Sequence, residues 1–134
     1  MSWHKSPRLA ILGTMYAAPI ILTLIVMTIL YVTMMFFPPD PTFGLDKLLH
    51  LMGGFVAPLI VFALHRPARP LIMIIGTAFI IGFGWECLEH FFPWFNGNAP
   101  HLFTSPDTLG DLTFDTVGGM VSYLWYRFWR CMSL

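Results

Sequence analysis

Four apolar stretches, residues 9–37, 45–64, 71–89 and 109–129, dominate this 134-residue chain. Each approaches or exceeds the ~20 residues that an α-helix needs to cross the hydrocarbon core of a bilayer. Backbone polar groups in lipid have to be satisfied within the spanning segment, so stretches of this kind cross as helices. The expected fold is therefore all-α: a polytopic membrane protein, a bundle of four transmembrane helices, with residues 1–134 as a single domain. Only 10% of the residues are charged and 57% are apolar. A soluble domain carries about 25% charged residues, so no soluble module is expected. The first apolar run follows Lys5 and Arg8 but is far longer than the ~7–15-residue core of a signal peptide. It is read as an uncleaved helix, with Pro19 as a candidate kink.

The charges are segregated along this topology. Lys5 and Arg8 precede the first helix, Arg66 and Arg69 separate the second from the third, and Arg127 and Arg130 close the fourth. With four spans these regions share one side. The other side receives all seven carboxylates, Asp40, Asp46, Glu86, Glu89, Asp107, Asp111 and Asp115, with Lys47 as its only cation. The positive-inside rule then places both termini in the cytoplasm and the acids outside, and a multi-pass position in a bacterial cytoplasmic (inner) membrane is expected. A formal net charge of zero implies neither nucleic acid nor an anionic surface as a partner; the apolar spans imply the lipid bilayer. Cys87 and Cys131 fall at opposite faces and cannot pair within the chain. Phe91, Phe92, Trp94 and Phe95 on one side, and Trp125, Tyr126, Phe128 and Trp129 on the other, read as interfacial belts.

Residues three or four apart share a helix face. The second helix carries Asp46, His50, then Gly53 or Gly54. The third carries Ala78, Gly82, Glu86, then Glu89 and His90. The fourth carries Asp107, Asp111, Asp115, then Gly118 or Gly119, then Ser122. Each stripe is acidic at its outer end and small further in, and small residues are what allow membrane helices to pack closely. Helices two, three and four are therefore expected to meet along these stripes. The first helix, without charge between Leu9 and Phe37, serves as a peripheral brace.

The acids then converge. His50, Glu86, Asp111 and Asp115 form the deeper group, and Asp46 and Glu89 join it. So many carboxylates in a low-dielectric seam need either protons or a cation, and Lys47, beside Asp46 on a different face, offsets one charge at most. Oxygen ligands suit Mg²⁺, Mn²⁺ or Ca²⁺, and an imidazole adds Zn²⁺. The candidate metal ligands are thus His50, Glu86, Glu89, Asp111, Asp115 and Asp46. A bland alternative is a set of interhelical hydrogen bonds between protonated carboxyls, each worth ~1 kcal/mol. Asp40 reads as a solvated turn residue, Asp107 as a residue of the helix start, and His90 and His101 as interfacial.

Three segments carry a family resemblance. They are Leu45-Asp46-Lys47-Leu48-Leu49-His50, Gly82-Phe83-Gly84-Trp85-Glu86-Cys87-Leu88-Glu89, and the run from Asp107 to Gly119. Together they resemble the VanZ-like and YjdF-like small integral membrane proteins, which show a D-K-x-x-H opening, an acidic helix end and a D-x-x-x-D/N-x-x-G-G closing helix. The likeness covers roughly residues 44–123. Asp115 stands where Asn is common in VanZ-like chains, and the Arg often found before the last helix is absent. Both departures favour the YjdF-like branch over one linked to antibiotic resistance. The resemblance implies the architecture and the site positions, and it does not supply a reaction.

Three functions of different kinds fit these observations. The first is metal binding, with metal-dependent hydrolysis or handling of a lipid or lipid-linked phosphate. The second is a proton- or ion-linked transport component. The third is a non-catalytic accessory subunit, in a homo-oligomer or a larger membrane complex. Whether the chain is an enzyme stays open at this level.

Overall fold

A computed structural model describes residues 7–36, 44–64, 70–92 and 106–132. Among them the chain forms four helices, α1 (Pro7–Phe36), α2 (Leu45–Leu64), α3 (Pro70–Phe91) and α4 (Pro106–Met132). The all-α expectation holds, and the helix bounds follow the apolar stretches closely. Helices α3 and α4 start earlier than apolarity alone indicates, because Pro70 and Pro106 occupy first helical positions. There the missing N–H costs nothing and the fixed φ suits the helix. Asp40, Arg66, Arg69, Trp94, Phe95 and His101 lie outside the described residues.

Among the described residues three helices are long and apolar enough to cross a membrane: α1 through Tyr16–Thr33, α2, and α3. Helix α4 carries Asp107, Asp111, Asp115, Arg127 and Arg130, which lower its hydropathy. Its length is sufficient, since 27 residues at 1.5 Å per residue span about 40 Å. Two of its acids do not face lipid, because Asp111 and Asp115 are 1% and 3% exposed. The start of α4 meets the start of α2 through the Lys47–Asp107 ion pair. Near the other end the rings of Phe62 and Tyr126 stack 4.9 Å apart. Helix α4 therefore runs parallel to α2 along the whole of a spanning helix.

Helices α2, α3 and α4 all touch one another, with the most extensive interface between α2 and α4, whereas α1 packs on α2. Each of the three inner helices buries one stripe: His50, Gly54, Pro58 and Leu59 on α2, and Ile74, Ala78, Gly82, Glu86 and Glu89 on α3. On α4 the stripe is Thr108, Asp111, Asp115, Gly118, Gly119 and Ser122. Helix α1 is a brace, as expected; among its described side chains only Thr23 is buried, and Ile21, Leu22, Ile25 and Ile29 point outward.

Lipid tails are as apolar as leucine, so these contacts have no hydrophobic drive and depend on close packing. The glycines set that packing, and they are not equivalent. A Cβ on Gly54 would fall on the backbone of Asp115, and one on Gly118 would fall on the Leu51 carbonyl. A Cβ on Gly119 would lie 2.9 Å from the Ala78 Cβ. At Gly53 the nearest atoms would be 3.8 Å away, an ordinary contact, so of the neighbouring pair Gly54 makes the tight crossing. Replacing Gly118 by Ala must push α2 and α4 apart, with an expected loss of about 1–3 kcal/mol. Around Gly76 a Cβ would meet nothing within 4 Å, and Gly76→Ala is expected to leave stability equal or slightly raised. Thermal unfolding in detergent, followed by circular dichroism, checks both.

Candidate metal centre

His50 sits one turn into α2, directly after Asp46 on the same face, and its side chain is 3% exposed. Its Nδ1 lies 2.9 Å from Asp115 Oδ2 on α4. A carboxylate accepts, so Nδ1 is the donor in this bond, and in a neutral imidazole the lone pair would then lie on Nε2. Nε2 is buried and has no hydrogen-bond partner among the described residues. Three carboxylate oxygens face it: Glu86 Oε1 at 3.7 Å, Asp46 Oδ1 at 3.8 Å and Asp111 Oδ1 at 3.9 Å.

Those separations are too long for hydrogen bonds. They match what a shared cation requires, since metal–ligand bonds of about 2.0–2.2 Å place adjacent ligand atoms roughly 3–4 Å apart. Asp46, His50 and Asp111 offer one set of donor atoms within 4.8 Å of one another, and His50, Glu86 and Glu89 offer a second. Both sets share the His50 ring. Glu86 is fully buried and Glu89 nearly so, and Glu89 Oε1 accepts from Trp85 Nε1 at 2.8 Å.

Lys47 was expected to stand apart on another face. In the fold its long stem passes over Gly110, where a Cβ would lie 3.3 Å from Lys47 Cε. Its ammonium donates to Asp111 Oδ1 at 2.6 Å and also to Asp107, and lies 3.5 Å from Asp46 Oδ2. Lys47 therefore bridges α2 to α4 at the mouth of the cluster. The sequence signal for this was Gly110, a gap in the α4 surface one residue before Asp111. Even so, Lys47 reaches only Asp46, Asp107 and Asp111, while Glu86, Glu89 and Asp115 are buried in the same cluster. Two like charges at 4 Å repel by about 4 kcal/mol at an effective dielectric of 20. An interhelical hydrogen bond returns only ~1 kcal/mol. The cluster accordingly calls for protons or for a further cation.

The seat of Asp115 is built by glycines. A Cβ on Gly82 of α3 would occupy the position of the Asp115 carboxylate itself. All six sequence-derived candidates, Asp46, His50, Glu86, Glu89, Asp111 and Asp115, thus come to one end of the bundle. Asp115 differs from the rest in lying on the far ring nitrogen. Asp107 is 59% exposed at its side chain and pairs with Lys47. The His90 ring stands edge-on to Phe91, with centroids 5.2 Å apart.

Fold and cluster together define a small all-helical membrane protein with a buried acid–histidine site. The family model described as "Predicted membrane protein (DUF2238)" matches residues 3–131, and the chain belongs to that family. No curated protein matches the chain, and no solved structure does.

Gly82→Ala is expected to displace the Asp115 carboxylate from His50 Nδ1. In ¹⁵N-histidine NMR the His50 Nδ1 signal should then shift from its wild-type position. An unchanged ring signal would contradict the seating of Asp115 described above.

Proposed function

We propose that this protein binds a divalent cation at the acidic end of its helix bundle. His50 Nε2 would be a ligand, with Asp46, Glu86, Asp111 and Glu89 as the carboxylate donors. The observation that carries the reading is the buried His50 Nε2, which has no hydrogen-bond partner among the described residues and faces three carboxylate oxygens at 3.7–3.9 Å. Asp115 would act from the other side of the ring. A carboxylate on the non-ligating nitrogen of a metal-bound histidine fixes its tautomer and raises its basicity. The donor set suits Mg²⁺, Mn²⁺, Ca²⁺ or Zn²⁺.

A cation held here would polarise a phosphoryl or carbonyl oxygen, or lower the pKa of a bound water. The position at a helix end, near headgroup depth, supports a lipid or lipid-linked phosphate as the substrate class, and Lys47 at the mouth supplies a cation for a phosphate oxygen. A transport role gains less support, because beyond the cluster the seam holds buried apolar Val56, Leu59, Phe62, Ile74 and Ala78, with the polar Ser122 buried among them. The segregation of Lys and Arg supports cytoplasmic termini in a bacterial inner membrane. The D-K-x-x-H and D-x-x-x-D-x-x-G-G motifs support a place among the YjdF-like relatives of the VanZ-like proteins.

Metal analysis by inductively coupled plasma mass spectrometry of detergent-purified protein tests the reading. Wild type supplemented with Mg²⁺, Mn²⁺, Ca²⁺ or Zn²⁺ should retain one of these near stoichiometrically. His50→Ala and Asp111→Asn should lose it, whereas Asp115→Asn should weaken affinity by about 10–100-fold without abolishing binding. Absence of every ion from wild type would sink the proposal and leave a protonated acid–histidine cluster in its place.

A further inference from the structure

At the other end of the bundle a cavity of about 290 Å³ is lined by Pro70, Tyr123, Tyr126, Arg127, Arg130 and Cys131. From Asp111 to Arg127 helix α4 advances 16 residues, or about 24 Å, so this cavity and the acidic cluster are separate places. None of its lining side chains is acidic, and two are guanidinium groups. Each is tied to the tyrosine four residues earlier: Arg127 Nη1 donates to Tyr123 Oη at 3.3 Å, and Arg130 Nη1 to Tyr126 Oη at 3.3 Å. The Arg127 guanidinium also lies 6.0 Å from the centre of the Tyr123 ring, within reach of a cation–π contact. Tyr126 is fixed in turn, since its ring stacks on Phe62 of α2.

We infer that this cavity binds the phosphate of an anionic phospholipid headgroup. Two guanidinium groups over one cavity, held by tyrosine hydroxyls, match the planar forks that recognise phosphate oxygens. The surroundings specify a lipid over a free anion. The helices framing the cavity turn Leu71, Leu124 and Phe128 outward, at 43%, 65% and 58% exposure, where acyl chains lie. Basic pockets between membrane helices are suited to such headgroups. The inference does not rest on the metal reading and survives its failure.

Native mass spectrometry of the detergent-purified full chain tests it, with phosphatidylglycerol, phosphatidylcholine and inorganic phosphate as probes. Wild type should retain phosphatidylglycerol over phosphatidylcholine by on the order of tenfold. Arg127→Gln/Arg130→Gln should lose that preference while keeping its unfolding temperature. Tyr126→Phe, which removes only the hydroxyl that holds Arg130, should reduce it part way and serves as the test if the double variant fails to fold. Equal retention of the two lipids by wild type, or an undiminished preference in the double variant, would overturn the inference. Displacement of phosphatidylglycerol by millimolar inorganic phosphate would assign the cavity to a free phosphate and overturn the lipid assignment.

Discussion

The hydrogen bond from His50 Nδ1 to Asp115 Oδ2, 2.9 Å long, joins α2 to α4 within the buried cluster that also holds Glu86, Glu89 and Asp111. It forms only because three helices approach almost backbone to backbone. Gly54 and Gly118 let α2 and α4 cross without side chains between them, and Gly82 vacates the volume that the Asp115 carboxylate fills. A single added methyl at any of these points meets backbone or a buried carboxylate. The same contacts that close the bundle therefore aim the imidazole, and packing and site geometry are one constraint.

That constraint explains the unusual composition of α4. In lipid a charged group is costly and is retained where it faces other helices. Asp111 and Asp115 are almost wholly buried, and α1, α2 and α3 provide the apolar exterior. Helix α4 gives up hydropathy because its acids face the three-helix seam. Lys47 compensates part of that charge from the neighbouring helix, bridging Asp107 and Asp111. The remaining carboxylates, Glu86 and Asp46 with Asp111, face His50 Nε2 at 3.7–3.9 Å.

The two ends of the bundle consequently have opposite chemistry. One gathers carboxylates from three helices around one imidazole. The other gathers aromatic rings, with Trp125 and Trp129 5.8 Å apart and Phe55 edge-on to Trp125, and places two arginines beside a cavity. Apolar and small residues fill the seam between them, so the ends are joined by packing and not by a polar path among the described residues.

Much of this was legible before any coordinates. The all-helical class, the helix positions, the brace role of α1 and the gathering of Asp46, His50, Glu86, Glu89, Asp111 and Asp115 at one end all follow from apolar run length and from 3.6-residue periodicity. Both are local properties that a chain carries in its order. Three matters lay beyond that reach. Gly53 and Gly54 read alike in sequence, and only the α2–α4 crossing distinguishes them. Lys47 read as facing elsewhere, because spacing locates a Cβ and says nothing of where a flexible four-carbon stem ends. Asp115 read as one acid among six, yet it alone lies on the far nitrogen of His50. Helical periodicity assigns residues to a common face and to a depth, and both are written in their order along the chain. Which atoms of those residues meet depends on the rotation and separation of three helices, set by contacts between residues tens of positions apart.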